Sequence, residues 1–143
     1  MRRVLIDTGI LVSYYQRHEP LHAAVVRWFE ETAAQLVTSP ICIAETLWLL
    51  GDPRDPRVLE AQNHLLRAIT AGAIAVPALE GRDYSRIADL NSRYADLPGD
   101  FADLTLVMLS EREGIAEILS LDSDFDVYRR FRKEPFQRIV LEP

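Results

Sequence analysis

Four acids in this chain stand where solubility alone explains them poorly: Asp7, Glu45, Asp103 and Asp122. Asp7 ends the apolar run Val4-Leu5-Ile6 and is followed by Thr8 and Gly9. Asp122 ends a second such run, Ile118-Leu119-Ser120-Leu121, in the same way. Glu45 has Ile41, Trp48 and Leu49 around it at helical spacing. Asp103 lies one turn inside a stretch that is apolar nearly all round, past the positions where a cap is needed. Asp100, three residues earlier, is accounted for as a helix cap at the positive end of the dipole. Near Asp122, Asp124 is the expected cap of the two.

Convergence of four carboxylates would be costly. Two unit charges about 5 Å apart repel by roughly 3 kcal/mol at an effective dielectric of ~20, against a typical domain stability of roughly 5–15 kcal/mol. A converged cluster must protonate, splay apart or bind a cation. An all-oxygen donor set selects Mg²⁺ or Mn²⁺. Zinc fits poorly, since His18, His22 and His64 are scattered and Cys42 is alone. Mg²⁺ held by a few carboxylates and several waters typically works on phosphate groups.

The elements that must position these acids alternate in type. Val4–Ile6 reads as a short buried parallel strand, and ligands of open α/β sheets bind beyond the carboxyl ends of strands. Leu21, Val25, Trp28 and Phe29 give helical spacing from Pro20 to about Ala34, and Leu36-Val37 a second strand. Ser39-Pro40 signals a helix start, and Gly51-Asp52-Pro53 breaks that helix after Leu50. Val58 to Ile69 forms another helix, stopped at Gly72, and Ile74–Val76 a third strand. A helix through Tyr84, Ile87, Leu90, Asn91 and Tyr94 ends before Pro98-Gly99; the next opens at Asp100 and closes at Gly114. Ile118–Leu121 is the fourth strand and Ile139–Leu141 a fifth. The pattern predicts an α/β fold, a central, mostly parallel sheet of four to five short strands flanked by helices on both faces. Trp28-Phe29 and Trp48-Leu49-Leu50 are assigned to the core.

No repeat, low-complexity tract or linker divides the 143 residues, so one domain over 1–143 is expected. An apolar share of 48% with 27% charged is globular. A net charge of −6 counts against a general nucleic-acid coating protein. The densest basic run, Tyr128-Arg129-Arg130-Phe131-Arg132-Lys133, has two readings: a solvated helix end with packing aromatics, or an RNA contact. Cys42 alone gives no internal disulfide and suits a reducing compartment. The apolar run behind Arg2-Arg3 is too short for a signal peptide, and no segment reaches membrane length. The expectation is a cytoplasmic protein without membrane association.

Together these residues resemble the PIN-domain nucleases, and among them the VapC-type toxins, over essentially the whole chain. The resemblance rests on Asp7-Thr8, Ala44-Glu45, the run Asp100-Phe101-Ala102-Asp103, and Ser120-Leu121-Asp122-Ser123-Asp124-Phe125. Family members typically show an aspartate followed by Thr or Ser, a helical glutamate, an aspartate opening an apolar helix, and a Thr-x-Asp-x-Asp-Phe-like ending. Asp7, Glu45, Asp103 and Asp122 match these in order, and Gly114 falls where a helix-ending glycine is frequent. Ser120 departs from the usual threonine but keeps the hydroxyl, and Leu104 replaces a frequent alanine. The resemblance implies an endoribonuclease dependent on Mg²⁺ or Mn²⁺, with Asp7, Glu45, Asp103 and Asp122 as catalytic, metal-holding acids. Thr8, Asp100, Ser120 and Asp124 would support them. It also implies an RNA substrate, a small antitoxin partner that plugs the acidic site, and a homodimer. Arg17, Arg82, Arg86 and Arg129 are unranked candidates for RNA contact.

Three rivals remain at this stage. Asp7-Thr8-Gly9 matches the aspartic-protease triplet, whose fold is all-β. A phosphatase using Asp-x-Asp needs an acid where Gly9 stands. A non-catalytic, partner-binding module would use its acids in surface ion pairs.

Overall fold

The computed structural model describes residues 1–97 and 100–143. The sequence-expected helix end at Pro98-Gly99 therefore lies outside the described residues. Five short strands form one parallel sheet in the order β3-β2-β1-β4-β7: β1 Arg3–Ile6, β2 Gln35–Val37, β3 Ile74–Ala75, β4 Glu117–Leu119 and β7 Gln137–Ile139. Successive side chains of a strand face opposite ways, so a strand covered on both faces must be apolar throughout. Leu5, Val37 and Ile118 enter one core with helices α5 (Gly81–Arg93) and α6 (Phe101–Glu113). Val4, Ile6, Leu36 and Leu119 enter the other, with α1 (Thr8–Tyr15), α2 (His22–Glu31) and α4 (Pro56–Thr70). Helix α3 (Pro40–Leu50) serves both cores, giving Cys42 to the first and Ile43 to the second. This is the expected α/β architecture, and a parallel sheet wrapped by helices ends the protease reading. No helix among the described residues is long and apolar enough to cross a membrane.

Several elements differ from expectation. The sequence gives no sign of α1, because Gly9-Ile10-Leu11-Val12 simply prolongs the apolar run of β1. The helix starts there because the Asp7 side chain accepts from the Ile10 N–H at 3.0 Å and caps it. The fifth strand is two residues earlier than expected, and the Pro20–Ala34 helix is trimmed to α2. Tyr128–Lys133 is not a helix end: β5 (Arg129–Arg130) and β6 (Glu134–Pro135) pair as an antiparallel hairpin. Gly114 closes α6 in the left-handed region, at φ 68°.

The strand order places a switch point between β1 and β4. The chain winds outward one way through β2 and β3, then returns to β4 on the other side of β1. Crevices in such sheets open at that point, beyond the strand ends.

Candidate active site

Asp7 follows β1 directly and Asp122 follows β4 with Ser120 and Leu121 between, so the pairing of Ile6 with Leu119 sets them at the same sheet edge. One hydroxyl ties the two ends together. Buried Ser120 Oγ donates to Asp7 Oδ2 and accepts from the Asp122 N–H at 2.9 Å. Asp122, and not Asp124, caps the 3₁₀ turn Ser123–Asp126, accepting from the Asp124 N–H at 2.8 Å. Asp122 is the residue that precedes the turn, the position where a capping oxygen reaches two residues forward.

The helical acids are set by a buried polar pin. Ser39 caps α3 by accepting from the Cys42 N–H at 3.0 Å, and the Thr105 hydroxyl of α6 donates to the same Ser39 Oγ at 2.7 Å. This pin holds Glu45 on α3 and Asp103 on α6 in a fixed relation. Asp100 caps α6 through the Asp103 N–H at 2.9 Å, as expected.

A crevice of about 400 Å³ opens at this edge, walled by Asp7, Glu19, Glu45, Asp100, Asp103 and Asp122, with Thr8, Leu49 and Leu121. All four sequence-nominated acids thus face one space. The tightest group is different from the expected quartet: carboxylate oxygens of Asp103, Asp122 and Asp124 lie within 4.8 Å of one another. Asp7 stands back from this group because Ile10 N–H and Ser120 hold its two oxygens. Glu45 makes no ion pair among the described residues. Its helix face is a crevice wall and not core: Trp48 is 83% and Leu49 51% exposed, contrary to their core assignment, while Leu50 is buried. Trp28 and Phe29 do pack against the second core. Glu19 was missed. It sits in a polar loop, Gln16 to Pro20, whose sequence offers no periodicity to flag it.

The electrostatics follow from this crowding. Burial, opposed by the Ser120 and Ile10 hydrogen bonds, raises the Asp7 carboxyl to about 6. Burial and then the charges of Asp100, Asp122, Asp7 and Asp124 push Asp103 up to about 8. Asp124 also moves up, through desolvation and its neighbours Asp122 and Asp100. Beneath them, the fully buried Tyr128 phenol is raised by burial and by Asp103 and Asp124. The Thr8 hydroxyl is buried against the crevice with no hydrogen-bond partner. Of the arginines considered for RNA contact, Arg86 pairs with Glu111 and Arg82 with Glu80, while Arg129 donates to backbone carbonyls.

Known proteins resemble this chain in sequence and in fold. A family model for the PIN domain matches residues 4–130. Ribonuclease VapC26 of Mycobacterium tuberculosis is 32% identical over 120 residues, covering 83% of this chain and 86% of that protein. The fold is similar to that of VapC20 from Mycobacterium tuberculosis, a toxin that cleaves the sarcin–ricin loop. The TM-score is 0.72 at 18% identity, over 87% of this chain and 93% of that one. VapBC2 of Rickettsia felis, solved with a DNA fragment from its promoter, gives a TM-score of 0.67 at 11% identity. That match covers 98% of this chain and 99% of the other.

Proposed function

The chain belongs to the PIN-domain family, and on that footing we propose that it is a metal-dependent endoribonuclease, the toxin of a toxin–antitoxin pair. The observation that carries the reading is the crevice: six carboxylates from five separate segments of the fold face one space, with no arginine or lysine among its described walls. A structural cluster would bring its counter-charges with it. This one raises the Asp7 carboxyl to about 6 and the Asp103 carboxyl to about 8, the direction expected of buried acids crowded together without a counter-charge.

The donor set fits Mg²⁺ or Mn²⁺. It is all oxygen, and the orphaned Thr8 hydroxyl adds a buried polar atom with an unmet partner. Asp103, Asp122 and Asp124 would hold the ion, with Asp7 and Glu45 lining the same crevice. When bound, such an ion supplies an acidified water and stabilises charge on a departing oxygen of the phosphodiester. The chain's own residues do the positioning. Ser120 keeps one Asp7 oxygen fixed, and the Ile10 N–H keeps the other, so that carboxylate cannot turn away from the crevice. Asp100 anchors the first turn of α6 and thereby aims Asp103. Apolar Leu49 and Leu121 line the crevice beside the acids.

The similarity to a protein named ribonuclease supports RNA as the substrate. The likeness to solved toxin–antitoxin assemblies supports a protein antitoxin, and a homodimer belongs to the same reading. Thermal melts with Mg²⁺ and Mn²⁺, beside RNA cleavage by the parent chain and by Asp103→Asn, test it. Metal should raise the melting temperature of the parent alone, since ligand bound to the folded state stabilises by mass action. Melts indifferent to millimolar metal, together with unaltered RNA, would favour the non-catalytic binding module.

A further inference from the structure

The basic run Tyr128–Lys133 is not absorbed by the crevice. Its structure is a tight hairpin whose turn is closed by the Lys133 N–H on the Arg130 carbonyl at 3.1 Å. The two central residues, Phe131 and Arg132, have φ of 50° and 70°. Glycine or asparagine is the usual occupant of both positions in such a turn, because a Cβ strains the backbone there. This chain places a large ring and a cation instead. The turn is held regardless: the Phe131 N–H donates to a Glu111 carboxylate oxygen at 2.6 Å, and Arg93 donates to the Arg132 carbonyl at 2.6 Å. Buried Arg130 donates to the Ser110 carbonyl at 3.0 Å and lies 5.4 Å from the Phe131 ring centre.

What the turn displays is cationic. Nine of the sixteen Lys and Arg side chains form ion pairs among the described residues. Of the other seven, four gather here: Arg93, Arg129, Arg132 and Lys133. Arg93, Arg132 and Lys133 are exposed, and the Phe131 ring is 49% exposed among them. The hairpin also begins one residue after Tyr128, whose phenol lies beneath the acids of the crevice. At no more than about 3.3 Å per residue, the tip lies within roughly 13 Å of that anchor along the chain. An RNA strand approaching a chain of net charge −6 through an acid-walled crevice needs a cationic foothold of this kind.

We propose that the hairpin tip is an RNA-binding platform, on which Arg93, Arg132 and Lys133 contact phosphates and Phe131 stacks on an unpaired base. The assignment rests on the ribonuclease reading above. Anisotropy of a fluorescein-labelled, mixed-sequence single-stranded oligoribonucleotide is followed at several salt concentrations, using the full chain with Asp103→Asn to prevent cutting. Arg132→Ala with Lys133→Ala should make the slope of log affinity against log salt shallower by about 1.4, two phosphates at ~0.7 each. Phe131→Gly suits the turn's dihedral angles, so its thermal melt should hold or rise while affinity drops roughly five- to a hundredfold. These losses support the platform whether or not the parent chain cuts RNA. Unchanged affinity and slope in both variants, with a parent that cuts RNA, overturn the platform alone. The same result with a parent that cuts neither this oligonucleotide nor total RNA overturns the ribonuclease reading as well. Variants that keep RNA affinity but lose binding to a protein partner assign the patch to that protein.

Discussion

Helix α6 carries two partly buried carboxylates, two turns apart, that behave in opposite ways. Glu111 lies where burial opposes its charge, yet Arg86 at 2.7 and 2.9 Å and the Phe131 N–H hold it below the usual range. Asp103 meets the same burial with further acids as neighbours, and rises to about 8. One acid arrives with its counter-charge and serves the fold; the other lacks one and is available to a cation. Local sequence separates them only in part: Asp103 is flanked by Ala102 and Leu104, and Glu111 lies in the polar run Ser110-Glu111-Arg112-Glu113. The difference lies in which side chains other elements deliver.

The contrast is most sharply tested at Asp103. Asp103→Asn should reduce metal-dependent RNA cleavage on the order of a thousandfold, several kcal/mol of lost charge stabilisation, while its metal-free melt stays level or rises. Next is Ser120→Ala, which frees one Asp7 oxygen; metal affinity by calorimetry should drop roughly ten- to a hundredfold, and Ser120→Thr should restore it. Arg86→Ala strands Glu111 and should cost about 1–3 kcal/mol of stability in urea melts, with metal affinity little changed. A loss of metal binding there instead would erase the distinction between the two acids. The same contrast also has a pH signature. Asp7 and Asp103 hold protons more tightly folded than unfolded, so they favour the folded state in acid and cease to do so as pH rises. Metal-free stability should therefore decline between about pH 4 and 8. Saturating Mg²⁺ should flatten that decline, and Asp103→Asn should remove most of it.

Much of this was legible beforehand because it depends on short-range rules. Strand ends that stop at an acid, a Ser-Pro helix start and an acid inside an apolar helix each carry a local signature. The mostly parallel sheet then followed from alternating strands and helices, whereas its switch point depends on which strands pair and became visible only in the fold. Helix α1 was hidden since its cap, Asp7, also ends a strand, leaving no polar break between the two elements. Trp48 misled because helical spacing tells which residues share a face but not what that face meets. Glu19 lies in a loop, and only the folded chain brings it to the crevice. The hairpin lacks the glycines that announce such turns, and its strain is repaid by contacts with Glu111 and Arg93 that are distant in sequence.

The Ser120 hydroxyl meets Asp7 across 113 positions of chain. The contact therefore closes a long loop, and such a loop must be closed before the two groups can meet. A fragment ending before Glu117 would hold Asp7, Glu45 and Asp103 but neither the strand nor the turn that completes their enclosure. The acidic crevice thus forms with the closure of the whole sheet and not from any one stretch of sequence.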